Sequence, residues 1–304
     1  MKRYPSAIVA TCVVPWNEKY EFEEDLFRAQ VRAMREHLTT HLYIFGTAGE
    51  GYAVNEKQFD RVASVFREET NFPGTRGMVG VISLSLSTII GRIERAREMG
   101  FRGFQISLPS WGALTDREVD AFFRETCGRF PDCHFLHYNL MRAKRLLNGD
   151  DYARLAARHS NLVMVKTGSD DAAFLTDLLT KAPQIQFCLG EYGYAKMRDR
   201  FECGLLISIA ATNHAAAHEF FAARNDTLSA LAGELRAVLD ALVKSVDGAG
   251  HMDGLYDKLL YKLHAPNFPL RLLPPYEAAT EEIFARFQDA LPERWRPQRM
   301  EKVL

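Results

Sequence analysis

Eight short apolar runs alternate with amphipathic stretches over the first 211 residues, and this alternation restricts the fold more than any other feature of the chain. The runs are "AIVATCVV" (7–14), "HLYIFG" (41–46), "GMVGVI" (77–82), "GFQISL" (103–108), "HFLHYN" (134–139), "LVMVK" (162–166), "IQFCLG" (185–190) and "LLISIAA" (205–211). Several are apolar at consecutive positions, which suits strands covered on both faces, as in a parallel sheet. Between them, "STIIGRIERAREMG" (87–100) repeats apolar residues at helical spacing and stops at Gly100, a helix C-terminus signal. "NEKQFDRVASVFREE" (55–69) opens with Asn55 as N-cap and Gln58 three residues on, a capping-box variant.

Strand and helix alternating eight times predict an α/β fold, and the count of eight favours a closed (β/α)8 TIM barrel over an open doubly wound sheet. No G-x-G-x-x-G follows the first strand, which removes the main support for a dinucleotide-binding fold. From about residue 215 the pattern becomes helical, in "EFFAARNDTLSALAGELRAVLDALVKSV" and "PPYEAATEEIFARFQDAL". The expectation is a barrel over 1–214 and a C-terminal helical extension over 215–304, packed as one compact unit.

Charge narrows the partners. With 38 basic and 39 acidic residues the chain is close to neutral, which argues against nucleic acid or an anionic membrane as a partner. No apolar run reaches the ~18 residues of a membrane span. "MKRYPSAIVATCVVPW" reads as a first strand and not a signal peptide, because Pro5, Ser6 and Thr11 interrupt it. The five cysteines are odd in number and form no C-x-x-C pair, so reduced thiols in a cytoplasm are expected, with no structural zinc.

In a barrel the reactive face is where strands end. Four polar strand ends converge there: "GTAGEG" (46–51), Tyr138-Asn139, Lys166-Thr167 and Gly190-Glu191. A lysine at the end of an apolar strand is disfavoured as an ammonium, and the free amine that results is a nucleophile for a ketone. "VMVK" alone fits a lysine whose amine snorkels to the surface better than it fits a site lysine. Tyr138 adds a phenol near the same cavity, able to shuttle protons during imine formation. The glycine-rich turn offers backbone N–H groups and the Thr47 hydroxyl to a carboxylate.

Together, "GTAGEG", "YN" (138–139) and "VKTGS" (165–169) resemble the dihydrodipicolinate synthase and N-acetylneuraminate lyase family of class I aldolases. The likeness continues through "FCLGEYGYAKMRDRFECGLLISIAATN" (187–213) and "YDKLLYKLHAPNFPLRLLPPYEAATEE" (256–282), and so covers nearly the whole chain. The resemblance implies that Lys166 is the Schiff-base lysine, Tyr138 the proton-transfer tyrosine, and Thr47 both a proton relay and a carboxylate ligand. It implies that Ala48 also holds the carboxylate and that Gly190 and Ile207 line the pocket. A homotetramer built as a dimer of dimers is implied, with no cofactor beyond the covalent imine on Lys166.

The departures bear on the substrate. Ala48 replaces a second hydroxyl, and "LPSWGAL" puts Ser110 and Trp111 where the synthases carry a relay tyrosine. After "YN" the text is "LMRAKRLL", with Arg142 one place early and Lys144 one place late for the anion-binding arginine. Trp111, Phe45 and Met141 suggest room for larger, less polar groups, as in the family's hydratase-aldolases. A packed rim tryptophan is the competing account of Trp111. His134, His137, His214 and His218 fit packed or solvated histidines better than a metal site, and Glu50 fits a turn-stabilising role better than a base. The expected function is a Schiff-base lyase converting a 2-oxo acid, pyruvate foremost, with an aldehyde partner. The alternatives are a sugar-acid dehydratase using the same imine and a silent barrel that only binds an oxo acid.

Overall fold

The computed structural model describes residues 3–248 and 250–297. The last residues of the predicted extension, 298–304, lie outside the described residues, as do residues 1–2 and 249. Eight parallel strands close into a barrel in chain order: β1 (Ile8–Thr11), β2 (His41–Ile44), β3 (Arg76–Gly80), β4 (Gly103–Ile106), β5 (His134–Tyr138), β6 (Leu162–Thr167), β7 (Gln186–Leu189) and β8 (Gly204–Ile207). The barrel helices are α1 (Glu24–His37), α2 (Glu56–Thr70), α3 (Leu86–Glu98), α4 (Asp116–Phe123), α5 (Gly149–Arg158), α6 (Ala172–Lys181) and α7 (Glu191–Met197). Beyond β8 come α8 (His214–Ala222), α9 (Asn225–Ser245), α10 (Asp253–Lys262) and α11 (Glu281–Ala290). The expected α/β barrel with C-terminal helices is what the chain forms.

Alternation along the strands separates two cores. Val9, Tyr43, Met78, Leu136, Met164 and Cys188 form one cluster with Tyr4 and Val163, filling the barrel interior. The residues between them, such as Ile44, Phe135 and Val165, join the larger core under the helices. Most strands are shorter than the corresponding apolar runs, whereas β6 continues one residue past its run to Thr167. The first run pairs only over Ile8–Thr11, and the eighth ends at Ile207. There the Ser208 N–H turns to the Glu191 carboxylate at 2.6 Å and a 3-10 turn, Ile209–Thr212, follows.

Local chemistry sets the helix ends. Asn55 accepts from the Gln58 N–H and the Gln58 side chain accepts from the Asn55 N–H, closing the expected capping box at α2. Gly100, at φ +96°, ends α3 in the left-handed conformation. Two helical readings need correction. The stretch 219–246 is two helices, because Arg224 is extended and Asn225 has φ +50°. In 274–291 the helix begins only at Glu281, capped by the Thr280 hydroxyl. The two prolines upstream supply no N–H groups for a helical ladder.

Candidate active site

Lys166 is inward-facing and nearly dry. It pairs in register with Tyr138 on β5 and Cys188 on β7, and register partners in a parallel barrel share a face. Its residue is 3% exposed. The amine sits 3.8 Å from the Tyr138 ring centroid and 4.4 Å from that of Tyr43, and it donates to the Tyr43 hydroxyl at 3.0 Å. Burial, opposed by the charges of Asp253 and Asp257, lowers the lysine from its ordinary 10.5 to about 7. Burial therefore favours the free amine over the ammonium.

Lys166 opens into a cavity of about 500 Å³ at the C-terminal mouth of the barrel. Thr47, Ala48, Tyr138 and Ile207 line it, so five of the expected site residues meet in one space. Burial raises Tyr138 above the ordinary phenol range, with Asp253 adding to the rise; Arg142 and a hydrogen bond to Thr47 oppose it. Tyr138 is thus a neutral phenol joined to the Thr47 hydroxyl.

The turn that carries Thr47 is held by strain and by a buried ion pair. Phe45 and Glu50 occupy the left-handed region, at φ +57° and +58°, bracketing the turn. Gly46 permits the close approach of the lysine: a Cβ there would lie 2.7 Å from Tyr43 Cε2 and 3.4 Å from Lys166 Nζ. Glu50 is fully buried and accepts from Lys258 Nζ at 2.6 Å, Trp16 Nε1 at 2.9 Å and the Leu273 N–H at 2.6 Å. Its carboxylate is engaged on every side, and it ties the turn to α10.

Helix α10 brings in groups that the sequence reading missed. Asp253, Tyr256 and Asp257 line the cavity, together with Tyr43, Thr11 and Ser208 from the barrel. Asp257 is half-buried, and burial with the nearby charge of Asp253 raises its carboxyl to about 8, against the pull of Lys166. Burial thus works against the charged form of both the acid and the amine that face the cavity. The i, i+4 spacing in "DGLYD" was the available signal, since it sets both aspartates on one helix face. Tyr43 could have been found from the inward alternation of "HLYI".

Other expected residues lie elsewhere. Arg142 lines a neighbouring cavity of about 450 Å³ that also borders Thr47, and it pairs with Asp253 at 3.0 Å across the boundary between the two. Gly190 lies at the end of β7 as the N-cap of α7, outside the lining of either cavity. Trp111 is 84% exposed, with its carbonyl accepting from Lys144 Nζ at 2.9 Å, and Met141 is also exposed. Phe45 points outward and stacks on Phe59 in the helix layer. None of these three apolar groups lines either cavity. Glu191 accepts from the Ser208 and Ala210 N–H groups, and Asn139 bonds the Leu147 backbone, so both fix loops.

His137 is buried, His214 is half-buried, and His134 and His218 are exposed. His137 bonds the Tyr152 hydroxyl at 2.7 Å, His214 stacks on His264, and His218 faces the His37 carbonyl. Among the described residues no three His, Cys, Asp or Glu groups are placed to share a metal. All five cysteines are free and buried, and no helix among the described residues is long and apolar enough to cross a membrane.

The Dihydrodipicolinate synthetase family matches the chain over residues 4–291. A "Probable 5-dehydro-4-deoxyglucarate dehydratase" of Bradyrhizobium diazoefficiens is 26% identical over 179 residues, which is 58% of this chain and 54% of that protein. The chain spans about half the length of the curated relatives it matches. Among solved structures, YagE of E. coli K12, a dihydrodipicolinic acid synthase family protein in complex with pyruvate, aligns with a TM-score of 0.80 at 14% identity, covering 95% of this chain and 97% of its own. Proteus mirabilis N-acetylneuraminate lyase gives a TM-score of 0.80 at 14% identity, covering 95% and 99%. At those identities the structural likeness speaks to the fold.

Proposed function

Because the chain belongs to the dihydrodipicolinate synthetase family, we propose that it is a Schiff-base-forming carbon–carbon lyase that acts on a 2-oxo acid. The observation that carries the reading is the Lys166 amine: buried, lowered to about 7, and 3.8 Å from the Tyr138 ring in a cavity large enough for a small acid. In this reading the turn at Thr47 and Ala48 receives the carboxylate. The Lys166 amine adds to the C2 carbonyl, and the oxygen leaves as water after taking a proton from Tyr138 or Asp257. The protonated imine then accepts the electron pair of the breaking C3–C4 bond. An aldehyde departs as its C4 hydroxyl gives its proton to whichever of Tyr138 and Asp257 was deprotonated in the first step, and the enamine regains a proton at C3 before water releases pyruvate. Thr47 returns protons to Tyr138. The imine on Lys166 is the electron sink, so the reaction calls on no cofactor.

Pyruvate and an aldehyde are the substrates in this proposal, with a homotetramer in the cytoplasm as the working form. The barrel over 1–214 and the extension over 215–304 act as one unit, since α10 supplies Asp253 and Asp257 to the mouth. A second reading is a dehydratase, in which the same imine expels water from a hydroxylated oxo acid. The dehydratase name of the Bradyrhizobium relative favours it. A silent oxo-acid-binding barrel is the reading to be eliminated.

Exchange of the pyruvate methyl protons in deuterium oxide, followed by proton NMR, tests the proposal. Imine–enamine interconversion exchanges them, and Lys166→Ala abolishes the exchange. No exchange above buffer with pyruvate or 2-oxobutanoate would leave a binding protein. Product analysis with hydroxylated oxo acids then separates cleavage, which releases an aldehyde, from dehydration, which keeps the carbon chain whole.

A further inference from the structure

The opposite mouth of the barrel carries a second cavity, of about 290 Å³, which the chemistry of Lys166 does not use. It is formed at the N-terminal ends of β3 to β6, and three arginines surround it: Arg67 from α2, Arg76 at the start of β3 and Arg102 just before β4.

Their pairing is incomplete. Arg102 reaches Asp132 only at 3.5 Å, and that carboxylate is held at 2.7 Å by Arg97. Arg67 and Arg76 have no carboxylate within ion-pair distance among the described residues. Each instead has an aromatic neighbour: Arg67 lies 5.8 Å from the Phe101 ring centroid and Arg76 lies 5.3 Å from that of Tyr4. Arg67 is further confined by Gly100, whose Cβ would come within 3.1 Å of its Nε. Among the described residues no carboxylate engages the N–H groups of Arg67 or Arg76, which leaves them available to an oxyanion.

The charge of Arg76 also bears on two nearby imidazoles. His41 is lowered to about 4, by burial first and then by the charge of Arg76. His134 is lowered by the same two causes in the same order. Met78, Phe135, Leu136 and Val163 give the cavity an apolar wall, beside the polar Tyr4, Thr75 and His134.

We propose that this N-terminal mouth is a binding site for a phosphate dianion, held by the guanidiniums of Arg67 and Arg76 with Arg102 at the rim. Two unpaired cations match a doubly charged oxyanion, and guanidinium–phosphate hydrogen bonds are among the strong charge-assisted ones. The apolar wall suits the organic half of a phosphate monoester, whereas free phosphate uses the arginines alone. The site lies apart from Lys166, so its occupancy does not depend on the lyase reading.

Calorimetric titration of the native protein in chloride buffer, with inorganic phosphate and with phenyl phosphate as separate probes, tests this. Both bind, and Arg67→Gln with Arg76→Gln weakens them roughly 10–100-fold. Arg76→Lys weakens them less than Arg76→Gln, because the charge stays while the fork is lost. Tighter binding of phenyl phosphate identifies a monoester as the ligand, and equal or tighter binding of inorganic phosphate identifies the free anion. Arg76 is exposed, so Arg76→Gln alone serves if the double variant fails to fold, with circular dichroism melting as the check. Failure of both probes to bind below about 10 mM, or equal binding by native and arginine-substituted protein, overturns the proposal.

Discussion

The Lys166 amine donates to the Tyr43 hydroxyl at 3.0 Å, joining the end of β6 to the middle of β2 across the barrel interior. Tyr138 stacks on the same amine from the neighbouring strand, so the lysine is held between two phenols with different tasks. Tyr43 is the polar partner of the amine, whereas Tyr138 faces Thr47 and the cavity. Tyr43→Phe removes the acceptor for the charged form. The midpoint for imine trapping therefore falls below about 7, and trapping on the acid side of that midpoint becomes faster than in the native chain. Tyr138→Phe leaves that midpoint near its native value and slows turnover by about 10²–10⁴-fold. Rapid-quench trapping across a pH series distinguishes the two.

Burial of Lys166 carries a stability consequence with a defined sign. The folded group is lowered to about 7 while the unfolded lysine stays near 10.5, so the unfolded chain binds more protons between those values. Native stability accordingly rises with pH through that window, and the penalty is full below it. Lys166→Met removes the penalty at nearly constant shape. The variant is more stable than the native protein at pH 7 by about 2–4 kcal/mol, with the gap closing toward pH 10. Urea unfolding at the two pH values checks this, and a gap that widens with pH would contradict it.

The Glu50–Lys258 pair is fully buried, and its removal from one side leaves a charge without its partner. Lys258→Met costs about 3–5 kcal/mol in chemical denaturation. The double replacement Glu50→Gln with Lys258→Met recovers part of that loss. Because the pair anchors α10 behind the Thr47 turn, the single variant also loses imine trapping.

Gly46 has no room for a side chain. Gly46→Ala drives a methyl into the Tyr43 ring and toward the Lys166 amine, destabilising the fold by about 1–3 kcal/mol. Trapping slows by more than tenfold in the fraction that remains folded. Gly112, around which a Cβ meets nothing within 4 Å, is the matched control, and Gly112→Ala leaves both properties unchanged.

The barrel was legible because eight runs such as "LVMVK" and "GFQISL" combine strand composition with regular helical spacers. Strand ends were less so: pairing stops where a backbone group finds another partner, as Ser208 does with Glu191, and no local pattern announces that. The position of Lys166 and Tyr138 at the barrel mouth was legible because each sits at the end of an apolar run, and that of Thr47 because a glycine-rich turn follows such a run. Asp253 and Asp257 were not, since they reach the cavity from a helix whose docking depends on the buried Glu50–Lys258 pair, 208 residues apart in sequence. Trp111 misled for the opposite reason: residue type suggested a pocket wall, but nothing in the sequence fixed whether the indole faces the cavity or the solvent.

The most direct test of the account is intact-mass analysis after pyruvate and borohydride treatment, run from pH 5.5 to pH 9 on the native chain and on Lys166→Ala. The account predicts one pyruvate-derived adduct per native chain, none on the variant, and a trapping rate that rises with pH with a midpoint near 7. An adduct that persists on Lys166→Ala would contradict it, as would a native chain that stays unmodified at every pH.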